Sequence, residues 1–240
     1  MKKSGRIILA VVIILLISGG AFFGYMFMNG LSGIRINEPY EENQIKVACV
    51  GDSVTYGHSI KNWPKNNYPA LLGRALGEKY HVRSFGVSGS TVQPDGDQPY
   101  NITKAYEQSL EYEADIIVFM MGSNDSKPEN WKGEEAFLRE YNALIDKYLE
   151  GEAQLYLCTP PVANFPEGVT EGLTNYDIQP QYVEVVSELI RQVAKDRELP
   201  LIDIFTLTVG NRTLFGKDNV HPSNKGAQAI AAEVFNSIAG

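Results

Sequence analysis

Two runs of almost uninterrupted apolar residues, Ile116–Met121 and Leu201–Phe205, constrain the fold of this chain more than any other feature. Such runs are typical of strands that are buried on both faces of a parallel sheet. From Ile45 onward, short β-rich runs alternate with helical stretches, a pattern that predicts a doubly wound α/β domain with about five parallel strands. The predicted strands are Ile45–Val50, His81–Gly86, Asp115–Met121, Gln154–Pro160 and Pro200–Phe205. The predicted helices are Tyr68–Tyr80, Glu134–Leu149, Gln179–Arg197 and Ser223–Ile238.

Four polar clusters stand at or beyond the ends of these strands. A doubly wound sheet binds its ligands at the carboxyl ends of its strands, so functional residues are expected there. Their residue types fit acyl transfer, in which a hydroxyl nucleophile needs a base and the base needs an orienting group. The clusters are Gly51–Gly57, Gly86–Ser90, Gly122–Asp125 and Asp218–Pro222.

Ser53, His221 and Asp218 are the candidates for nucleophile, base and orienting group. Ser53 follows the first predicted strand. Asp218 lies three residues before His221, and within one turn this spacing lets the carboxylate reach the imidazole Nδ1–H while Nε2 faces a hydroxyl. Pro222 disfavours helical geometry at His221 and suits the first position of the last helix.

The oxyanion that forms in acyl transfer needs preorganised donors, each typically worth ~2.7–4 kcal/mol of barrier. The candidates are the backbone N–H groups of Ser53 and Gly89 and the side-chain amide of Asn124. Each cluster also has a purely structural interpretation, as a helix cap, a surface turn or a turn-forming asparagine. We favour the catalytic interpretation because four independent clusters occur at strand ends in one compatible order.

These four clusters resemble, in the same order, the four sequence blocks of the SGNH, or GDSL, hydrolases. The resemblance extends from Lys46 to the C-terminus and implies a flavodoxin-like three-layer α/β/α sandwich. It also implies Ser53 as nucleophile, Gly89 and Asn124 as oxyanion donors, and Asp218 and His221 as the rest of the triad. The first block has Val where the family name has Leu. The chain has no Gly-x-Ser-x-Gly, so the nucleophile elbow of ordinary α/β-hydrolases is not the template. This chemistry needs no metal or organic cofactor.

A finer likeness concerns the substrate. The stretches Asn124–Lys132 and Leu155–Pro161 are similar to those of family members that act as carbohydrate acetylesterases. A long acyl chain gains about 0.8 kcal/mol per buried CH₂ and needs a continuous apolar groove. The predicted loops instead carry isolated rings among amides and charges, which suits a sugar. Trp63 and Trp131, together with Asp52, are the candidate substrate-binding residues; packing of the two tryptophans onto the domain is the alternative.

The sequence therefore predicts a serine esterase that removes short acyl groups, preferably acetyl, from a small ester or an acetylated glycan. Three alternatives stay open: a lysophospholipase or thioesterase, an extracellular glycan O-acetyltransferase, and a wall-binding module without activity. The first would need an apolar acyl groove, and the second would transfer acetyl to glycan in preference to water. The oligomeric state is also left open.

The N-terminus predicts a transmembrane helix. Lys2, Lys3 and Arg6 precede the 22-residue apolar stretch Ile7–Met28, which is long enough to cross a bilayer. The basic flank belongs on the cytoplasmic side, so the domain is expected outside a cell membrane that the chain crosses once. We expect residues 1–28 to be a signal anchor, 29–43 a tether and 44–240 the hydrolase domain. The alternative is a signal peptide cleaved near residues 19–21 and a secreted enzyme.

Net charge and cysteine content argue against two further classes of function, nucleic-acid binding and zinc binding. The net charge is −8, and three of the 21 Lys and Arg residues stand in the first thirty residues, which contain no acid, so the remainder of the chain is more acidic still. Such a domain is a poor candidate for nucleic-acid binding. Cys49 and Cys158 lie in predicted strands, which indicates buried free thiols; a disulfide or a thiol nucleophile is the alternative. No histidine stands at ligand spacing for a zinc site.

Overall fold

A five-stranded parallel sheet forms the centre of the domain in a computed structural model of the chain, which describes residues 40–163 and 176–239. The strand order is β2-β1-β3-β4-β5, the flavodoxin-like order, and every neighbouring pair is parallel. This confirms the predicted α/β class and the five-stranded parallel sheet. The strands are β1 (Ile45–Gly51), β2 (Tyr80–Gly86), β3 (Ile116–Met120), β4 (Gln154–Cys158) and β5 (Leu201–Ile202).

Helices cover both faces of the sheet because side chains alternate along each buried strand. On β3, Ile117 and Phe119 face one apolar cluster, whereas Val118 and Met120 face the other. The first cluster includes residues of α4, α5 and α6, and the second includes residues of α3, α7 and α8. The helices are α1 (Ser53–Tyr56), α2 (Trp63–Asn66), α3 (Tyr68–Leu76), α4 (Lys104–Glu111), α5 (Glu134–Leu149), α6 (Pro180–Asp196), α7 (Ile204–Thr208) and α8 (Asn224–Ala239).

Two predicted elements are shorter in the structure by four residues each. The strand predicted at Pro200–Phe205 is limited to Leu201–Ile202, because Asp203 begins a helix: its Oδ1 accepts a hydrogen bond from the Thr206 N–H at 3.1 Å. The helix predicted at Tyr68–Tyr80 ends at Leu76, since Gly77 adopts φ +77° and Tyr80 already pairs in β2. Helix α4 was not predicted, because few of its positions are apolar.

Both cysteines are buried free thiols, as expected, and they pack in the same apolar cluster. Burial raises the pKa of Cys49 to about 12 and that of Cys158 well above its ordinary value. A thiolate is the reactive form of cysteine, so neither side chain is suited to act as a nucleophile at neutral pH.

The predicted transmembrane helix at residues 1–28 lies outside the described residues, as does the tether up to residue 39. Within the described ranges, no helix combines the length and the apolar character needed to cross a membrane.

A close approach between α1 and the end of β2 positions the first polar cluster. A Cβ at Gly86 would overlap the backbone N of Tyr56, lie 2.7 Å from the carbonyl carbon of Thr55 and lie 2.9 Å from the carbonyl oxygen of Asp52. Only glycine leaves room for this backbone contact, which presses the turn that carries Ser53 against the sheet edge.

We predict that Gly86→Ala lowers the free energy of unfolding by about 1–3 kcal/mol or more, because the added methyl meets backbone that cannot rotate away. Gly151→Ala is the matched control: a Cβ there meets nothing within 4 Å, and the expected change is within about 0.5 kcal/mol. Urea unfolding of both variants measures the difference. Equal stabilities would contradict the close-approach argument.

Candidate active site

Ser53 stands where the first strand turns into the first helix. β1 ends at Gly51 and α1 begins at Ser53. Asp52 caps this helix, because its Oδ1 accepts a hydrogen bond from the Val54 N–H at 2.9 Å. Ser53 is 7% exposed and lines a small cavity, so its hydroxyl is sheltered rather than on open surface.

Asp218 and His221 are joined by a tight turn. Asp218 Oδ1 accepts hydrogen bonds from the backbone N–H groups of Val220 at 3.1 Å and His221 at 2.9 Å. Asn219 has φ +58°, in the left-handed region that asparagine adopts more readily than most residues. The His221 carbonyl accepts from Gly216 N–H at 2.8 Å. These bonds within the turn hold the imidazole beside the carboxylate.

The side chains of Ser53, His221 and Asp218 form one hydrogen-bonded chain, the Ser–His–Asp chain. His221 Nδ1 lies 2.9 Å from Asp218 Oδ2, and Nε2 lies 2.9 Å from Ser53 Oγ. A carboxylate can only accept, so the proton resides on Nδ1 and Nε2 is free to accept from the hydroxyl. This arrangement is the one that activates a serine nucleophile.

Asp218 remains ionised in this arrangement. Burial raises the pKa of its carboxyl, but hydrogen bonds from the His221 side chain and backbone outweigh burial and hold the pKa well below the usual range. Ser59 Oγ adds a donor to Oδ2 at 3.2 Å. A permanent negative charge at this position stabilises the imidazolium that forms when His221 takes the serine proton.

The three predicted oxyanion donors lie around the same cavity. Gly89 and Asn124 line it together with Ser53. Within the described part of the chain, no acceptor is bonded to the N–H of Ser53 or Gly89. The amide of Asn124 is held by the Ser90 carbonyl at 3.0 Å and by Asp52 Oδ2 at 3.5 Å. Two main-chain donors and one side-chain amide thus lie around one cavity. Because the amide nitrogen has two hydrogens, an oxyanion bound there would replace its longer contact, the one to Asp52.

The cavity is small, about 90 Å³, and its walls differ in polarity. The polar wall comes from the ends of β2 and β3 and includes Ser88, Ser123 and Lys127. The apolar wall consists of side chains from the β4 and α6 regions and the histidine turn, namely Pro161, Ala163, Ile178, Val183 and Val220. Pockets that enclose drug-sized ligands measure about 300–1,000 Å³, so this one suits a much smaller group.

A second histidine, His58, lies against the first. Its ring centroid is 4.4 Å from that of His221, and its Nε2 is 3.0 Å from the hydroxyl of Tyr176. Burial, followed by the neighbouring His221, lowers the pKa of His58. His58 is therefore kept neutral beside the base, which avoids repulsion when His221 becomes charged.

The three candidate substrate-binding residues do not reach this cavity. Asp52 is 1% exposed and lies behind Ser53, where it caps α1. Trp63 stacks on Tyr56 at 4.4 Å and lines a separate groove along β2 and α3. Trp131 stacks on Tyr182 at 4.9 Å at the edge of a core cluster. Both tryptophans thus pack on neighbouring rings of the domain, and their role in substrate binding stays a prediction.

The sequence predicts that loops 59–67, 91–100, 126–131 and 162–176 frame the site, and two of them supply the cavity residues Lys127 and Tyr176. His58 also lines the cavity but was not predicted to do so. His58 follows Gly57, whose φ of +95° reverses the chain so that residue 58 returns to the cavity. Of the predicted substrate loop at 162–176, residues 164–175 lie outside the described ranges. Among the described residues, no group of three or more His, Cys, Asp or Glu side chains could hold a metal ion.

Asp125 is a further buried carboxyl at this edge, and it ties two loops together. It is 0% exposed, and its oxygens accept from the N–H groups of Val92 at 3.0 Å and Gln93 at 3.0 Å. Burial raises the pKa of Asp125 to about 7, although both backbone hydrogen bonds oppose the rise.

Comparison with known proteins gives relatives over most of the domain. A sequence profile described as the GDSL-like lipase/acylhydrolase family matches residues 49–229. An acetylxylan esterase from Xylanibacter ruminicola is 32% identical over 218 residues, covering 82% of this chain and 44% of the relative. A multidomain esterase from Ruminococcus flavefaciens is 24% identical over 82% of this chain and 28% of the relative. The chain therefore spans less than half the length of these two relatives.

Solved structures share the fold. A carbohydrate acetylesterase from Sinorhizobium meliloti superposes with a TM-score of 0.67 at 17% identity, covering 82% of this chain and 99% of that one. The acetyl xylan esterase AlAXEase superposes with a TM-score of 0.63 at 23% identity, covering 81% and 100%. At these identities the likeness establishes the common architecture.

We predict that Asp125 makes stability depend on pH. The folded protein keeps this proton up to about pH 7, whereas an unfolded aspartate releases it near pH ~3.9. Its contribution is therefore complete below about pH 4 and is lost as pH rises through 7. Between pH 5 and 7, the free energy of unfolding of the wild type should fall relative to that of Asp125→Asn by on the order of 2 kcal/mol. Urea unfolding at both pH values measures this difference, and a constant difference would contradict the assignment.

Proposed function

Because the chain belongs to the GDSL-like lipase/acylhydrolase family, we propose that it is a serine esterase that hydrolyses short acyl esters, with O-acetyl groups on carbohydrate as its substrate. The observation that carries this proposal is the Ser–His–Asp chain, with 2.9 Å at each of its two links, opening onto a cavity of about 90 Å³.

The proposed reaction has two halves. His221, oriented by Asp218, takes the proton of Ser53 Oγ as the oxygen attacks the ester carbonyl. The negative oxygen that forms accepts hydrogen bonds from Ser53 N–H, Gly89 N–H and the Asn124 amide. His221 then donates its proton to the departing alcohol and leaves an acyl-serine. In the second half, His221 activates a water that releases the acid and restores the serine.

Cavity size supports a short acyl group. Five apolar side chains form one wall, and this wall is large enough to contact a methyl group. An octanoyl chain would gain about 0.8 kcal/mol for each CH₂ that it buried, but a cavity of about 90 Å³ gives most of that chain nothing to contact. Acetyl is therefore the expected acyl group.

The polar wall supports a carbohydrate as the alcohol. Ser88 Oγ is buried without a hydrogen-bond partner among the described residues, and a buried hydroxyl left unpaired costs roughly 1–3 kcal/mol. Lys127 lines the same wall and supplies further N–H donors. Sugar hydroxyls satisfy both groups. The names of the acetylxylan esterase and carbohydrate acetylesterase relatives agree with this substrate class.

We also propose that the domain works outside the cytoplasmic membrane. The support is the apolar stretch Ile7–Met28 with its basic flank, which predicts a single membrane crossing.

The first test measures kcat/KM on p-nitrophenyl esters from acetyl to octanoyl, beside acetate release from acetylated xylo-oligosaccharides. We expect acetyl to be the preferred acyl group and the sugar esters to release acetate. Ser53→Ala should lose several orders of magnitude of activity on every ester, because the nucleophile is gone. A Ser237→Ala variant, on α8 and away from the cavity, is the matched serine control and should keep wild-type rates.

Three outcomes would contradict the proposal. Retention of more than about a tenth of the activity in Ser53→Ala would remove the nucleophile assignment. A steady rise from acetyl to octanoyl would indicate a lysophospholipase or thioesterase. Acetyl transfer to added glycan in preference to water would indicate an acyltransferase.

The second test concerns location. We expect the full chain to sediment with membranes and a chain beginning at Glu42 to be soluble and active. Cell fractionation with N-terminal sequencing measures both. If expression of the full chain instead releases a product into the medium whose N-terminus lies near residue 22, the apolar stretch is a cleaved signal peptide.

A further inference from the structure

We infer that Asn130 and Asp97 are positioning residues for the oxyanion hole. They join the loop that carries Asn124 to the loop that follows Gly89, and so fix two of the three donors relative to each other. The inference rests on the proposed function, because it assigns these residues to the stabilisation of the same oxyanion.

Asn130 connects the two loops with one buried side chain. It is 1% exposed. Its amide nitrogen donates to the Asn124 carbonyl at 2.9 Å and to Asp97 Oδ1 at 2.8 Å, while its oxygen accepts from the Asp97 N–H at 2.9 Å. All three bonds lead either to Asn124 itself or to residue 97 on the facing loop.

Lys127 completes the connection. Its Nζ lies 2.8 Å from Asp97 Oδ2, and its side chain is 11% exposed. Burial raises the pKa of Asp97, but bonds from Lys127 and Asn130 outweigh burial and lower it. Asp97 is therefore an ionised acceptor held by one donor on each oxygen, and charge-assisted bonds of this kind are stronger than neutral ones.

The facing loop reaches the other donors. The Asn124 amide is aimed by the Ser90 carbonyl at 3.0 Å, so its direction depends on where residues 90–98 lie. Gln98, the neighbour of Asp97, packs so closely on Gly89 that a Cβ there would lie 2.8 Å from its Oε1. Moving Asp97 therefore disturbs both Gly89 and the acceptor that aims Asn124.

Positioning predicts a kinetic signature that simple loss of stability does not. Oxyanion donors act on the tetrahedral state, so misplaced donors lower kcat while leaving KM for a small ester nearly unchanged. A trifluoromethyl ketone forms a tetrahedral adduct with the serine and places its oxygen in the same hole. Its inhibition constant should therefore rise in parallel with the fall in kcat/KM.

The experiment compares Asn130→Ala, Asp97→Ala and the double variant on p-nitrophenyl acetate, with the ketone as inhibitor and thermal melting as a fold check. We expect kcat to fall about tenfold to a hundredfold in each single variant, KM to change less than about threefold, and the double variant to lose little more than either single one. Asn142→Ala is the matched control: among the described residues Asn142 bonds to Leu138 and Arg197, and it does not line the cavity. It should keep wild-type kcat and ketone affinity.

The outcomes separate this inference from the proposed function. Fully active Asn130 and Asp97 variants, or a fall in kcat/KM with unchanged ketone affinity, would overturn the inference while the esterase assignment stands. Additive losses in the double variant would also overturn it, because a shared connection predicts coupling. A wild type without esterase activity would remove both. If Asn130→Ala fails to fold, Asp97→Ala carries the test, since the Asp97 side chain is 39% exposed.

Discussion

The parallel register of β2, β1 and β3 is the constraint on which the site depends. Gly51 pairs with Gly86 on one side and with Met120 on the other, so three carboxyl ends lie side by side at one sheet edge. Ser53, Gly89 and Asn124 follow these three paired positions by two, three and four residues. A slip of one residue in any strand would move its donor by about 3.3 Å, whereas productive sites are held within about 0.5 Å. The register of the sheet thus fixes the relative positions of the three oxyanion donors.

Three buried or partly buried carboxyl groups at this edge differ in protonation because their partners differ. Burial raises the pKa of Asp52 and of Asp125, and the hydrogen bonds that oppose the rise do not outweigh it. Burial also raises the pKa of Asp218, yet its four hydrogen bonds, two of them from His221, lower the pKa further and keep the carboxyl charged. Asp52 and Asp125 therefore have structural roles, in a helix cap and a loop connection, and a raised pKa. Asp218 supplies the negative charge that stabilises protonated His221. Partial exposure and more hydrogen bonds together keep Asp218 charged, whereas full burial dominates at Asp52 and Asp125.

Much of this arrangement was predictable from the sequence, for a physical reason. Buried parallel strands leave long apolar runs, and the Asp218–His221 spacing encodes its own turn, so both the sheet and the histidine turn could be anticipated locally. The strand at Leu201–Ile202 was predicted to be too long, because the apolar run continues past Asp203 and does not reveal that Asp203 caps a helix. The positions of Trp63 and Trp131 were not predictable, since each stacks on a ring elsewhere in the fold. The same holds for Asn130 and Asp97, which are 33 residues apart and share no motif.

The distance in sequence between Ser53 and His221, 168 residues, has a consequence for the life of the chain. The base lies on the segment just before α8, and that helix packs against α3. During synthesis on the ribosome, the chain therefore contains Ser53 long before it contains His221. A chain that ends before residue 221 lacks the histidine of the Ser–His–Asp chain, so its serine has no base to activate it.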